Sequence, residues 1–534
     1  METHISKPLQ KLQMLLRMYT EQPFDKESSS EEDNVEELSD IESEEEAYDM
    51  VEDVELSSES EEEGAAHVST RGSLESCFMY GFKWSVTPPT EEQTEADKVS
   101  NYGPQVLGVA NKTNTPIEVW SLLFTDEMLG KIVEYTNAEI ARKRENYSIL
   151  ENYLYDINLE ELQAFIGILY YSGVQKKTYN KIEDLWESTA SIVYRCTMPK
   201  ARYTFLLQCL QFDDKSTRHE RRQRDNLAPI RDLWDLFISN CKEYYLPGKH
   251  VTIGEQLLYF AGKCPFRVKI GTKPQKCGLK IVMMNDSRTS YVINAIPYVG
   301  KVDTRPLESV PTYYVRKLSE PIHKTHRNII CNKRFTSVPL VQSMKNNFSL
   351  SMVGAIRAKE REIPLKMKRF TASNDSRFLY ANNMTLVSYC PKQNKIVLIL
   401  SSLRGDIEVR KESDIIQFYN NSIKGGTDAF DQSCRDYRTE RISNRWSMRF
   451  FYAMLDQSGL NSSILYNLNK EDKKDMIERD KFLKTLALSL IRPFIKSRLR
   501  LSSGISDHLR ALMKIVIKEE DEEEDTEEDS EDSE

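Results

Sequence analysis

Two aspartates, Asp428 and Asp431, stand three residues apart in the run Gly425-Gly-Thr-Asp-Ala-Phe-Asp-Gln432. At that separation their carboxylates share a face if the run opens a helix, and acids at a helix start are also favoured by the dipole alone. Cations gather elsewhere. Arg357, Lys359 and Arg361, with Lys366, Lys368 and Arg369, form a basic stretch broken by Glu360 and Glu362. Arg435, Arg438, Arg441, Arg445 and Arg449 follow the Asp pair, and Arg492, Lys496, Arg498 and Arg500 come later. A fourth basic run is Arg218-His-Glu-Arg-Arg-Gln-Arg224. Any one such stretch most often marks a solvated face, whereas several on one body suit phosphate contacts. The nine cysteines lie at least 13 residues apart, so the chain has no CxxC pair and no zinc signature. Reduced thiols are expected.

Charge is distributed unevenly. Residues 27–63 carry 19 acids and no base, and residues 519–534 carry 13 acids and no base. The remainder of this 534-residue chain has a net charge of +22, although the whole is at −10. A basic body of that kind points to a polyanion, most often nucleic acid. No apolar run approaches the ~18 residues of a membrane span, and the N-terminus lacks a signal-peptide core, so no membrane partner is expected.

The elements that must position these residues read as follows. Residues 9–18 fit a short amphipathic helix, and residues 1–115 otherwise read as a disordered acidic region. Folded structure is expected from about Glu118, with Thr125 as a helix N-cap and Asn158 opening a capping box with Glu161. Further helices are expected over 200–211 and 231–244. From His250 the texture turns to short strands at 251–253, 256–260, 278–284, 291–296 and 351–356, with a hairpin at 386–400. Helical pattern returns near Ala429 and from Trp446 to about Leu490. Helices, a mixed sheet and helices again indicate an α+β or α/β core inside an all-helical frame.

Four blocks resemble the piggyBac transposase family in order. They are Thr252-Ile-Gly-Glu-Gln-Leu257, Cys264-Pro-Phe-Arg267 with Lys273, Pro274 and Lys280, Cys331-Asn-Lys-Arg-Phe-Thr-Ser337, and the Gly425–Gln432 run, with Asn444-Arg-Trp446 following. The resemblance covers roughly 115–500 and implies an RNase H-like catalytic core embedded in a helical dimerisation and DNA-binding frame. Its implied layout is a disordered region over 1–115, a helical region over 116–249, the core over 250–358 and 415–437, an insertion domain over 359–414, a second helical part over 438–518 and an acidic tail over 519–534.

Such cores use three carboxylates to hold two divalent ions, of which Mg²⁺ demands hard oxygen ligands. The family's first Asp falls at Gly254 and its second at Asn332, whereas the third is present as Asp428, with Asp431 as a fourth acid. Residual metal contact is implied only at Asp428 and Asp431. Glu255 is expected to aim away by strand alternation, and Lys333 and Arg334 would repel a cation. Asp286 also matches a family position, though not a principal ligand. The cysteine-rich zinc module of many members has no counterpart after Cys434.

The resemblance therefore implies a transposable element-derived nuclear protein that is inactive as a transposase and retains DNA binding, and it allows a homodimer. No cofactor is expected, Mg²⁺ mattering only if cleavage survives. The residues assigned to DNA are Arg357, Lys359, Arg361, Arg441, Arg445 and Arg449. Two alternatives stay open, an active transposase with rearranged ligands and an interaction scaffold or inert remnant.

Overall fold

The strands alternate between chain-local hairpins and long-range pairing. In chain order they are β1 (Ser76–Met79), β2 (Phe82–Ser85), β3 (Gln105–Val106), β4 (Tyr245–Leu246), β5 (His250–Tyr259), β6 (Val268–Lys269), β7 (Cys277–Asp286), β8 (Val292–Pro297), β9 (Asn328–Cys331), β10 (Ser351–Ala355), β11 (Ser376–Ala381), β12 (Met384–Lys392) and β13 (Lys395–Ser401). This computed structural model describes residues 76–88, 103–147, 151–269, 277–300, 302, 304–306, 308–369, 372–393, 395–403, 414–501 and 504–518. The expected helix at 9–18, the acidic run 27–63 and the tail from 519 lie outside the described residues.

Eleven strands form one sheet in the order β1-β2-β11-β12-β13-β10-β9-β5-β7-β6, with β8 also on β7. β5, β9 and β10 are parallel, while β7 runs antiparallel beside β5 and β8 antiparallel beside β7. The central strands are buried on both faces, as their apolar runs require. Helices flank this mixed sheet, which is an RNase H-like core as expected. β5 is one strand where the sequence suggests two, because Gly254 stays in the ladder opposite Met283.

The helical frame joins both ends of the described chain. Helix Leu159–Val174 packs against helix Arg479–Leu501 so closely that a Cβ on Gly167 would stand 2.8 Å from the Ala487 carbonyl oxygen. The Trp120 indole donates to the Tyr170 hydroxyl at 2.9 Å and the Ser458 hydroxyl at 3.2 Å, tying the first helices to Trp446–Leu468. That last helix docks on the sheet through Asn461, whose amide exchanges two hydrogen bonds with the Val292 backbone at 3.0 Å each. The single helical run expected from Trp446 is broken, and Asn467 closes the break by bonding the Ile477 backbone. Thr125 and Asn158 cap as expected. Glu161, however, turns inward to Arg202 instead of completing a capping box.

Two further expectations need correction. Order begins before residue 116. Tyr80 and Gly81 both adopt positive φ, the geometry of a two-residue hairpin turn, and bring β1 onto β2. Trp84 is fully buried and its indole donates to the Glu362 carbonyl at 2.8 Å. Burial supplied by a segment 278 residues away is invisible to a local reading of composition. A capping box at Thr115, with Glu118 as its partner, likewise starts helix Pro116–Leu123 before the expected boundary. Second, the segment expected as an insertion domain over 359–414 places its strands β11–β13 in the core sheet. β13 pairs with β10 and extends the core sheet.

Candidate catalytic site

The ladder between β5 and β9 ends at Ile253 opposite Cys331, so Gly254, midway along β5, lies beside Asn332, the residue just past the carboxyl end of β9. Open α/β sheets place their sites at such strand ends. A π-helical turn, Lys424–Asp428, crosses over β5 and leads into helix Ala429–Asp436. Its Thr427 side chain lies directly on Gly254: a Cβ there would stand 2.8 Å from Thr427 Cβ and 2.9 Å from its Oγ1. The fold thus brings positions 254, 332 and 428 to one corner.

Their chemistry differs from that of a three-carboxylate cage. Asn332 Oδ1 accepts the Arg334 backbone N–H at 2.9 Å, and its backbone carbonyl accepts from the Thr336 hydroxyl at 2.9 Å. The amide is thereby committed to shaping its own turn. Asp428 is exposed. Partial enclosure, then the charge of Asp431, push its carboxyl above the ordinary range. Asp431 pairs with Arg435 and accepts a hydrogen bond from Gln256, yet burial outweighs both and raises its carboxyl too.

Among the described residues no other acid completes the set. Glu255 faces away, 3.3 Å from Arg334 Nε and 3.7 Å from Lys280 Nζ. Arg334 therefore serves that pair on the far side of β5. Asp286 is buried and saturated by the backbone N–H groups of Gly248, Arg288 and Thr289 at 2.7, 2.8 and 3.0 Å. Among the described residues, no three His, Cys, Asp or Glu side chains are grouped so as to hold an ion. With Thr427 packed where a first ligand would stand, these residues do not fit a pair of divalent ions. All nine cysteines are free thiols.

The cations assigned to DNA divide into two groups. Arg357, Lys359 and Arg361 are exposed. Arg441 is buried and donates to the carbonyls of Lys177, Thr178 and Asn180 at 3.2, 2.9 and 2.9 Å. Arg449 is buried against Glu440, and Arg445 donates to the Leu210 carbonyl. These three arginines brace the interior, so the reading of 441, 445 and 449 as phosphate contacts is corrected. The run after Thr217 is partly tied down as well, since Arg218 and Arg221 both bond the buried Asp213, at 2.5 and 2.6 Å.

Sequence reasoning missed the buried polar set around the π-turn. Thr427 Oγ1 donates to Asn285 Oδ1 at 3.0 Å, and its N–H donates to Thr252 Oγ1 at 3.1 Å. The only local signal is the side-by-side placement of Gly426, Thr427 and Asp428.

An RNase H-like core whose ligand positions fall on β5, just past β9 and on the π-turn defines a protein of the transposase class. A family model described as "Transposase IS4" matches residues 115–463. The chain belongs to the piggyBac/IS4 transposase family. It is 21% identical over 364 residues to the human "PiggyBac transposable element-derived protein 3", covering 62% of this chain and 58% of that relative. The human "Chimeric ERCC6-PGBD3 protein" matches equally, at 21% over 364 residues and 32% of its length. The chain therefore spans less than two thirds of either relative. A cryo-EM structure of a piggyBac transposase synaptic complex with hairpin DNA superposes with a TM-score of 0.74 at 37% identity, covering 78% of this chain and 88% of that one.

Proposed function

We propose that this protein is a transposase-derived DNA-binding protein of the nucleus that no longer cleaves phosphodiesters. The observation that carries the reading is the corner itself. Of the three ligand positions only Asp428 keeps a carboxylate, Asn332 is committed to its own turn, and Thr427 occupies the space beside Gly254. Two divalent ions held by hard, charged oxygens need more than one such ligand. Activity through rearranged ligands is disfavoured because Glu255, adjacent to Gly254, and Asp286, which also matches a family position, are engaged elsewhere.

DNA binding is supported by the net +22 outside the two acidic runs, by the exposed Arg357, Lys359 and Arg361, and by likeness to a transposase captured with hairpin DNA. No described helix is long and apolar enough to cross a membrane. Self-association as a homodimer belongs to the same proposal and is read by light scattering of the purified chain.

The test is incubation with piggyBac-type transposon ends and Mg²⁺ or Mn²⁺. Bound but intact DNA is expected. Nicked or hairpinned product that disappears with Asp428→Ala would overturn the proposal.

A further inference from the structure

Thr252 and Gly254 on β5 face Gly426 and Thr427 on the π-turn in a reciprocal arrangement. Thr427 rests on Gly254. Thr252 rests on Gly426, where a Cβ would stand 1.7 Å from Thr252 Oγ1. Each partner offers one knob and one hole. Gly426 carries φ −94° and ψ −113° inside an otherwise helical turn, so its backbone bends to admit the threonine.

Hydrogen bonds close the arrangement. The Thr427 N–H donates to Thr252 Oγ1 at 3.1 Å, the Thr252 hydroxyl donates to Thr427 Oγ1 at 3.3 Å, and the Thr427 hydroxyl gives its single proton to Asn285 Oδ1, whose residue sits directly opposite Thr252 in the β5–β7 ladder. Asn285 in turn donates to the Ser290 carbonyl at 3.1 Å, and the Ser290 hydroxyl donates to the Gly425 carbonyl at 2.7 Å. Thr252, Thr427 and Asn285 are all buried, and each is hydrogen-bonded within this set. Buried polar groups so satisfied fix one arrangement of the backbone.

We propose that this Gly/Thr clasp is the device that fastens the π-turn to the sheet, and that Gly254 is retained by packing. Interlocked neutral groups here stand where a cage of like charges would repel itself without its ions. The inference deepens the reading that cleavage is lost. A side chain returned to position 254 meets Thr427 before it can meet an ion, so replacing both missing aspartates does not by itself rebuild a binding corner. Thr427 is thus a residue that excludes the metal, as Gly254 and Asn332 fail to attract it.

The test uses the full chain without DNA or metal. Melting temperatures are compared for Gly254→Ala, Thr427→Gly and the pair. Overpacking predicts that Gly254→Ala lowers Tm by roughly 3–8 °C in the native background and by much less beside Thr427→Gly. Equal losses in both backgrounds, or no loss in the native one, would overturn the clasp. Should Gly254→Ala alone fail to fold, Gly254→Ala/Thr427→Gly must fold for the proposal to stand. A second arm titrates Mn²⁺ by electron paramagnetic resonance into Gly254→Asp/Asn332→Asp with and without Thr427→Gly. Tighter binding is expected only with the third change, and equal binding in both overturns the exclusion. Cleavage by the native chain would refute the proposed function and leave the melting result untouched.

Discussion

The Glu255 carboxylate lies 3.3 Å from Nε of Arg334, joining the residue after Gly254 to the second residue after Asn332. Lys280 Nζ lies 3.7 Å from the same carboxylate and 4.5 Å from the Tyr298 ring centroid. Two family-motif blocks are thereby bridged by charge on the face turned away from the corner. Removing one member of a largely buried ion cluster leaves the others uncompensated. Glu255→Gln is expected to cost ~3 kcal/mol of stability by urea denaturation. A loss within experimental error would show that water reaches this cluster freely.

Arg202 and Glu161 form a second internal pair, with only 1% of each side chain exposed. The guanidinium bonds both Glu161 oxygens at 2.8 and 2.7 Å, adds the carbonyls of Tyr153 and Tyr155, and stacks 3.8 Å from the Tyr155 ring centroid. A lysine cannot reproduce this planar set. Arg202→Lys should therefore lose most of the ~3–5 kcal/mol expected for Arg202→Ala. Equal stability of Arg202→Lys and the native chain in the same denaturation series would contradict the assignment.

Asp456 accepts the backbone N–H and hydroxyl of Thr439, both at 2.8 Å, beside the Glu440–Arg449 pair. Burial nevertheless pushes its carboxyl up to about 7. The folded value exceeds the unfolded one of roughly 3.9, so the native state holds more protons between the two values. Stability must therefore fall as pH rises from about 4 through 7, and the raised Asp428 and Asp431 act in the same direction. Asp456→Asn should flatten this slope and gain on the order of 2 kcal/mol at pH 8. Denaturant midpoints at pH 5 and pH 8 decide it, an unchanged slope counting against the assignment.

DNA affinity should depend steeply on salt. Neutralising three exposed cations, as in Arg357→Gln/Lys359→Gln/Arg361→Gln, is expected to reduce the slope of log K against log salt by about 2–3. Arg441→Gln should leave that slope alone and lower the melting temperature instead, since its guanidinium is spent on three carbonyls. Fluorescence anisotropy at several salt concentrations separates the two effects.

Trp84→Ala should free the β1–β2 hairpin, because the indole is its buried anchor. Roughly 3–5 kcal/mol attaches to a lost tryptophan. Amide exchange over 76–85 should rise selectively while β5 and β9 stay protected.

The core and its corner were readable because the motif blocks are contiguous. Gly254, Asn332 and Asp428 each sit inside a recognisable run, and β7, β8, β10 and β12–β13 follow from short alternating or apolar stretches. What escaped depends on distant partners. Arg441 looks like any surface arginine until the carbonyls of residues 177–180 surround it. Thr252 and Thr427 are 175 residues apart, and nothing local to either says that the two meet. The hairpin at 76–85 is hidden in the same way, as an aromatic island among acids whose partners Glu362 and Tyr380 lie in the second half of the chain.

That island sets an order on assembly. A ribosome releases Phe82–Ser85 long before Glu362, the acceptor for Trp84, and Tyr380, the strand partner of Ser85, have been made. During synthesis the ribbon has nothing to lie on, and every prematurely ended chain that stops short of residue 362 exposes an aromatic edge prone to self-association.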